Sequence, residues 1–348
     1  MGMREYLSRV VGNSALRRRL GEELARGAVS HAYIIEGPAG SGKHTLAREI
    51  ATALSCEQRA SRDLPLPCNA CDTCRKISTG NSPDVITVSR EEDKVTMGVD
   101  VIRRLREDVP LYPNDLDVKI YIIEDAHTMT NQAQNALLLT LEEPPPFVMF
   151  LLLTERAELL LETIRSRAPI LRMQPIDDEQ MTAYVRDPAR PEVAREAKAL
   201  PNEEFAALLR MANGCIGRAI TLLEAQKRAP VLARRTAAEQ LCDALAQGKG
   251  ADEVLAMLLS FGTTREDLLA RLGVITEALR DLLVLTRTDT APLIFFTDRE
   301  RAIDLSARFC ASRLLQLIAA TEGAMEQLLA NANVRLTLFS YHKSLSTK

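Results

Sequence analysis

The residues best placed to do chemistry begin with Gly37-Pro38-Ala39-Gly40-Ser41-Gly42-Lys43-His44-Thr45. Glycines at this spacing let successive backbone N–H groups converge on an anion, and a following helix adds the positive end of its dipole. An apolar run at 33–36 precedes the loop, and a helical pattern at 46–54 follows it. That is the strand, loop and helix a phosphate-binding P-loop requires. Lys43 would reach the outer phosphates. The motif asks for Ser or Thr directly after the lysine, where a hydroxyl helps hold Mg²⁺; here that residue is His44. Thr45 lies about 100° further round the helix and is no equivalent.

A second cluster is Cys56, Cys68, Cys71 and Cys74, in a loop marked by Pro65, Pro67 and Asn69. Four thiolates this close in a reducing compartment suit tetrahedral Zn²⁺, whose structural sites are often Cys₄. With every ligand from the protein, no position stays open for catalysis, so the metal would be structural. A redox Cys-x-x-Cys and an iron–sulfur cluster are weaker alternatives. Cys215, Cys242 and Cys310 are isolated and read as core residues.

Four more stretches stand at strand ends, in a turn or at a helix start. The apolar run 118–123 ends in Glu124-Asp125-Ala126-His127, where a P-loop NTPase places its Mg²⁺-binding and water-activating carboxylates. A solvated pair of acids is the plainer alternative. The run 147–153 ends at Thr154, which could touch a γ-phosphate or simply cap the next turn. Ser166-Arg167 sits in a short basic turn, where an Arg is usually only a solvated charge. Arg218, after Gly214 and Gly217, falls in the first turn of a helix. The helix dipole disfavours a cation there, which makes a role toward an external anion more plausible.

The elements that must hold these residues are strands at 33–36, 83–88, 118–123, 147–153 and about 169–172, with helices between them. Ser14 is expected to cap the first helix. Pro175 marks a boundary, followed by a small helical unit at 176–228 and long amphipathic helices at 229–348. One further strand candidate lies at 293–296. The 348 residues allow two or three domains, and 46% hydrophobic content with 4% aromatics suits a largely helical protein with one sheet. A net charge of −3 offers no global attraction to nucleic acid. No apolar run approaches the roughly 20 residues of a membrane span. The start, Met1-Gly2-Met3-Arg4-Glu5, has no signal-peptide core, and the uneven cysteines argue for the cytoplasm over a disulfide framework.

In this order the motifs resemble the AAA+ clamp-loader subunits of bacterial DNA polymerase III, the delta prime family most closely. The resemblance rests on His31-Ala32-Tyr33, the P-loop, the four-cysteine insertion and Glu124-Asp125-Ala126-His127. It continues through Asn135-Ala136-Leu137-Leu138-Leu139-Thr140-Leu141-Glu142-Glu143-Pro144-Pro145, Thr154, Ser166-Arg167, the residues from Gly214 to Ala219, and Asn331-Ala332-Asn333-Val334-Arg335-Leu336. It implies an α/β P-loop AAA+ domain at 1–175, a parallel sheet with helices on both faces and a zinc module at 56–74. A helical lid at 176–228 and an all-α collar at 229–348 would follow.

The resemblance also implies roles. Arg167 would be an arginine finger reaching a neighbour's ATP, Thr154 the sensor on the sheet and Arg218 the sensor on the lid. Gly37, Gly40, Gly42, Lys43, His44 and Thr45 would line a site for ATP or ADP with Mg²⁺. The implied partners are gamma/tau and delta subunits in a five-subunit ring, the sliding clamp and primer-template DNA, with no membrane. Two departures bear on hydrolysis. His44 replaces the hydroxyl, and Glu124-Asp125 inverts the Asp-Glu order of active members, leaving the water-polarising acid one methylene short. Phosphoryl transfer depends on positioning, so weak or absent turnover is expected. The competing expectations are an ATP-hydrolysing gamma/tau-type subunit and a zinc-dependent nucleic-acid ATPase outside replication.

Overall fold

The structure, a computed structural model, describes residues 4–91, 94–260 and 264–346. Met1-Gly2-Met3, part of the leader reading, lies outside them. Two compact units form: Met1–Tyr184 with Gly214–Arg218, and Val185–Asn213 with Ala219–Lys348.

The first unit carries α1 (Ser14–Arg26), β1 (Ala32–Glu36), α2 (Lys43–Leu54), α3 (Asp72–Ser78), β2 (Val85–Val88), α4 (Val99–Asp108) and β3 (Lys119–Ile123). It continues with α5 (Asn131–Glu142), β4 (Val148–Thr154), α6 (Glu162–Arg165), β5 (Ile170–Arg172) and most of α7 (Asp178–Val185). The five strands pair in the order β2-β3-β4-β1-β5, every pair parallel. β3 and β4 are buried along their whole length, as strands covered on both faces must be.

Their alternate residues enter opposite cores. Ile35, Ile122 and Leu151 pack with Leu46 and Ile50 of α2 and with Leu20 and Leu24 of α1. Ile34, Tyr121 and Phe150 pack with Ile102 and Leu105 of α4 and with Leu137 and Leu141 of α5. This is the period of two that a strand imposes.

Ser14 is not the cap of α1 but its first residue. The cap is Asn13, in the left-handed region at φ 49°. Its side chain is held elsewhere: Oδ1 accepts from the Gln174 amide at 2.7 Å and Nδ2 donates to the Gln174 carbonyl at 3.1 Å. Asn tolerates this backbone better than Ser, and its amide can both donate and accept.

The second unit is helical among its described residues. It holds α8 (Pro191–Ala199), α9 (Asn202–Ala212), most of α10 (Ile216–Leu223), α11 (Ala225–Ala246) and α12 (Ala251–Leu259). After these come α13 (Arg265–Leu285), α14 (Arg299–Ser306), α15 (Ala311–Leu329) and α16 (Val334–Ser346). α11 starts before Pro230, earlier than the sequence pattern placed it, because a proline near a helix start removes only one hydrogen bond from a long ladder. Residues 293–296 form no strand. The Asp281 carboxylate of α13 accepts the amides of Ile294, Phe295 and Phe296 at 2.9, 2.7 and 3.0 Å, which leaves no ladder for a partner strand. No helix is long and apolar enough to cross a membrane.

Asp84 repeats the same device in the first unit. It is fully buried and accepts the amides of Asn114, Asp115 and Leu116 at 2.7, 2.7 and 2.9 Å. Burial alone would raise its pKa, but these N–H groups hold it below the ordinary 3.8. Its stabilisation is therefore complete above about pH 3.8 and is lost as pH falls through the depressed value. Asp84→Asn, which strands buried N–H groups, is expected to cost roughly 2–4 kcal/mol in urea unfolding followed by circular dichroism at neutral pH. The gap from the native chain should narrow on acidification; a gap that widens would show that the carboxylate is not the stabilising form.

Candidate functional site

The loop at 37–42 joins β1 to α2, and its backbone explains its glycines. Gly40 and Gly42 have φ of 77° and 94°, which side chains rarely adopt. Gly40 also has no room for one. A Cβ there would lie 2.7 Å from the Arg218 amide nitrogen, because the start of α10 packs on the loop and the Gly217 amide donates to the Gly40 carbonyl at 2.8 Å. Gly217 is thus the residue of that turn in backbone contact with the loop, and Arg218 follows it. Lys43 Nζ bends back to the carbonyls of Gly37 and Pro38 at 2.8 and 3.1 Å. Burial lowers its pKa, against the opposing charges of Glu155 and Asp125.

The β1–β4 register sets Glu36 beside Thr154, and the Gly37 amide donates to the Thr154 carbonyl at 3.1 Å. Thr154 is buried, and its hydroxyl is turned onto its own chain. Oγ1 donates to the Arg156 carbonyl at 3.1 Å and accepts the Arg156 amide at 3.2 Å. These are the bonds of a cap, the plainer of the two sequence readings.

β3 delivers the acids to the same sheet edge. His44 Nε2 lies 3.2 Å from Glu124 Oε1, so the residue in the hydroxyl's place stands against the first acid of the pair. Burial pushes the His44 pKa down, and Glu124 only partly offsets this. Asp125 has φ 45°, a left-handed conformation that Asp tolerates, and its carbonyl accepts both the amide and the hydroxyl of Thr128. Thr45 is exposed. His127 is also drawn in: burial lowers its pKa and its Nδ1 is buried with no hydrogen-bond partner among the described residues.

Lys43, His44, Glu124, Asp125 and Thr154 therefore gather at one edge, with Gly217 against the loop. Arg167 makes its contacts elsewhere, donating to the Thr163 carbonyl at 2.9 Å and to Glu142 Oε1 at 2.7 Å. Sequence reasoning missed Glu155, Gly217 and Glu142 as site residues. Gly217 and Glu142 stood inside motifs already singled out, and Glu155 directly follows Thr154.

Among the described residues the four cysteines form the one metal-ligating cluster, their Sγ atoms within 4.8 Å of one another. A tetrahedral site with Zn–S of about 2.3 Å needs S···S edges of about 3.8 Å; Cys68 and Cys74 already stand at 3.9 Å. The amides of Cys71 and Cys74 point at Cys68 Sγ and Cys71 Sγ, at 3.4 and 3.5 Å, an outer shell suited to thiolates. Burial works against the Cys68 thiolate, yet amide and thiol hydrogen bonds bring its pKa down to about 7. The donor set fits zinc.

A five-stranded parallel sheet, with a glycine loop after its β1 and acids on its β3, defines an α/β domain of the AAA+ type. A family model described as "DNA polymerase III, delta subunit" matches residues 12–177. The tau subunit of DNA polymerase III from Bacillus subtilis (strain 168) is 38% identical over 158 residues, covering 45% of this chain and 27% of the relative. The Escherichia coli (strain K12) tau subunit is 33% identical over 216 residues, 62% of this chain and 32% of the relative. The chain thus spans about a third or less of these relatives' length. A gamma subunit-related protein from Thermotoga maritima aligns over 94% of this chain and 98% of its own, at 18% identity and a TM-score of 0.40. On the sequence matches, residues 12–177 are similar to the DNA polymerase III clamp-loader AAA+ subunits, with gamma/tau among the relatives.

Elemental analysis of protein purified without chelator should find one zinc per chain. Cys71→Ser should lose it and destabilise the chain by roughly 3–5 kcal/mol in urea, because bare, part-buried thiols would replace a closed metal site. A native chain free of zinc would reject the assignment.

Proposed function

We propose that this chain is a delta prime-type subunit of a bacterial DNA polymerase III clamp loader, acting in the cytoplasm. With gamma/tau and delta subunits it completes a five-subunit ring that places the sliding clamp on primer-template DNA. Residues 176–228 serve as the lid and 229–348 as the collar of that ring. The chain hydrolyses ATP weakly or not at all, and donates Arg167 to the site of a neighbour. Zinc is structural.

One contrast supports this reading above all. The chain's own cation position holds His44 against Glu124, while the Ser166-Arg167 motif is intact and Arg167 is partly exposed. Retaining the finger beside a site unsuited to Mg²⁺ suits a subunit whose chemistry happens next door. In such a site a guanidinium stabilises charge on the transferring phosphoryl group, worth about 10³–10⁵ in rate. Arg167 must first leave Glu142. An ion pair this exposed is worth only about 0–1 kcal/mol, so a neighbour's phosphates can displace it.

A motor subunit of gamma/tau type is the second reading, favoured by the 38% identity to a tau subunit. His44 and the short Asp125 oppose it.

The isolated chain should show negligible ATP turnover. In the reconstituted loader, Arg167→Ala should slow turnover at the adjoining site by roughly 10³ while Lys43→Ala leaves DNA-stimulated ATPase nearly unchanged. Motor-level turnover by the isolated chain, abolished by Lys43→Ala, would decide for the second reading. So would a reconstituted loader in which Lys43→Ala is the more damaging change.

A further inference from the structure

Mg²⁺ is the ion this fold family implies at the loop, and the residues present do not fit it. Mg²⁺ takes oxygen ligands in a near-ideal octahedron and gives up its water reluctantly. At the position of the usual hydroxyl stands an imidazole whose Nε2 is 3.2 Å from Glu124 Oε1. An imidazole at that position offers a nitrogen where the ion wants an oxygen, and its ring is turned to the carboxylate. The same contact crowds the Glu124 oxygen that would have held the ion or its water. Thr45, the nearest hydroxyl in sequence on α2, is exposed.

The anion side of the loop is intact. α2 runs for 12 residues from Gly42 with no side chain capping its first amides, so these N–H groups remain to be met by a ligand. Lys43 Nζ sits on two loop carbonyls, from which a phosphate could draw it. Ser41 Oγ is buried within the loop with no hydrogen-bond partner among the described residues. Beyond Lys43 the charge turns negative, with Glu155 and Asp125 both acting on the lysine and Glu124 close behind. A third phosphate reaching that edge with no cation between would meet like charge.

We infer that this loop binds a nucleoside diphosphate without a divalent cation, and in preference to the triphosphate, with the His44–Glu124 pair standing where the cation would. The inference rests on reading the loop as a nucleotide site and is independent of the role given to Arg167.

The test is calorimetric titration of ADP and ATP into the full chain, with excess Mg²⁺ or with EDTA. ADP should bind equally well in both, and ATP about tenfold more weakly than ADP in EDTA. In His44→Thr, checked for native circular dichroism and melting, Mg²⁺ should tighten ADP by about tenfold. The inference is overturned if Mg²⁺ tightens ADP on the native chain by that factor, or if ATP binds the better in EDTA. A folded His44→Thr chain still indifferent to Mg²⁺ removes His44 as the cause. No binding under any condition also overturns it, while leaving untouched the trans role of Arg167, which is read only in the assembled loader.

Discussion

Much of the first unit's architecture depends on β4 lying between β3 and β1. Its seven residues are wholly buried, and it pairs in parallel with both neighbours. Parallel strands all end on the same side, so this pairing brings the end of β1, the end of β3 and Thr154 to one edge. The loop leaves β1 there and the acids leave β3 there. Had β4 stayed at the rim of the sheet, Lys43 and Glu124 would have had no reason to approach. The contact between His44 and Glu124 is a product of this order, bringing α2 to the end of β3 although 80 residues separate them in sequence.

That edge is electrostatically unusual for a nucleotide site. Lys43 faces Glu155 and Asp125, while His44 is discouraged from charging by its burial. Without a divalent ion, the acids stabilise Lys43 but do nothing for a phosphate. A carboxylate at a P-loop helps catalysis through the cation it holds or the water it polarises. When Glu124 instead faces the imidazole of the loop's own helix at 3.2 Å, its oxygen is turned to α2. One substitution after the lysine thus changes the work of two residues, and its effect depends on the three-dimensional pairing rather than on the loop alone.

The strands and the loop were legible in the sequence because they follow strong local rules. Apolar runs of five to seven residues, glycines at positive φ and a lysine at a helix start can all be read one window at a time. The four cysteines are equally local. What escaped was set by distant partners. Asn13 displaced Ser14 as a cap because Gln174, 161 positions on, offers both halves of its side chain a partner. Residues 293–296 have strand composition, yet Asp281 takes three of their amides and Arg235 bonds to the Phe295 carbonyl while stacking on its ring. The turn at 214–218 was read through the charge of Arg218, whereas the backbone contact on the loop falls at Gly217, where only a residue without a side chain permits it. Thr154 was ambiguous for a similar reason, since a hydroxyl two residues from an amide finds that partner unless a ligand competes.

The surroundings of Arg167 follow a different logic from those of the loop. Its guanidinium is partly exposed, but the backbone that carries it is fixed from below. Gln134 of α5 is buried and donates to the Met129 and Leu159 carbonyls while accepting the Leu161 amide at 2.8 Å. Leu161 is the N-cap of α6, and Arg167 comes just after its C-cap Ser166. A buried amide bonded on both its ends is costly to disturb, since each freed partner would be left unsatisfied. α5 and the turn bearing Arg167 are thus held in one frame, and Glu142 at the end of α5 meets the guanidinium across it. The rigid part of this arrangement sets where the guanidinium begins, and the weak part, one exposed ion pair, is all that binds it there. A group built this way can be offered to an anion outside the chain without loosening the chain itself. The loop differs in what its contact joins: His44 to Glu124 links α2 to the end of β3, within the fold rather than across its surface.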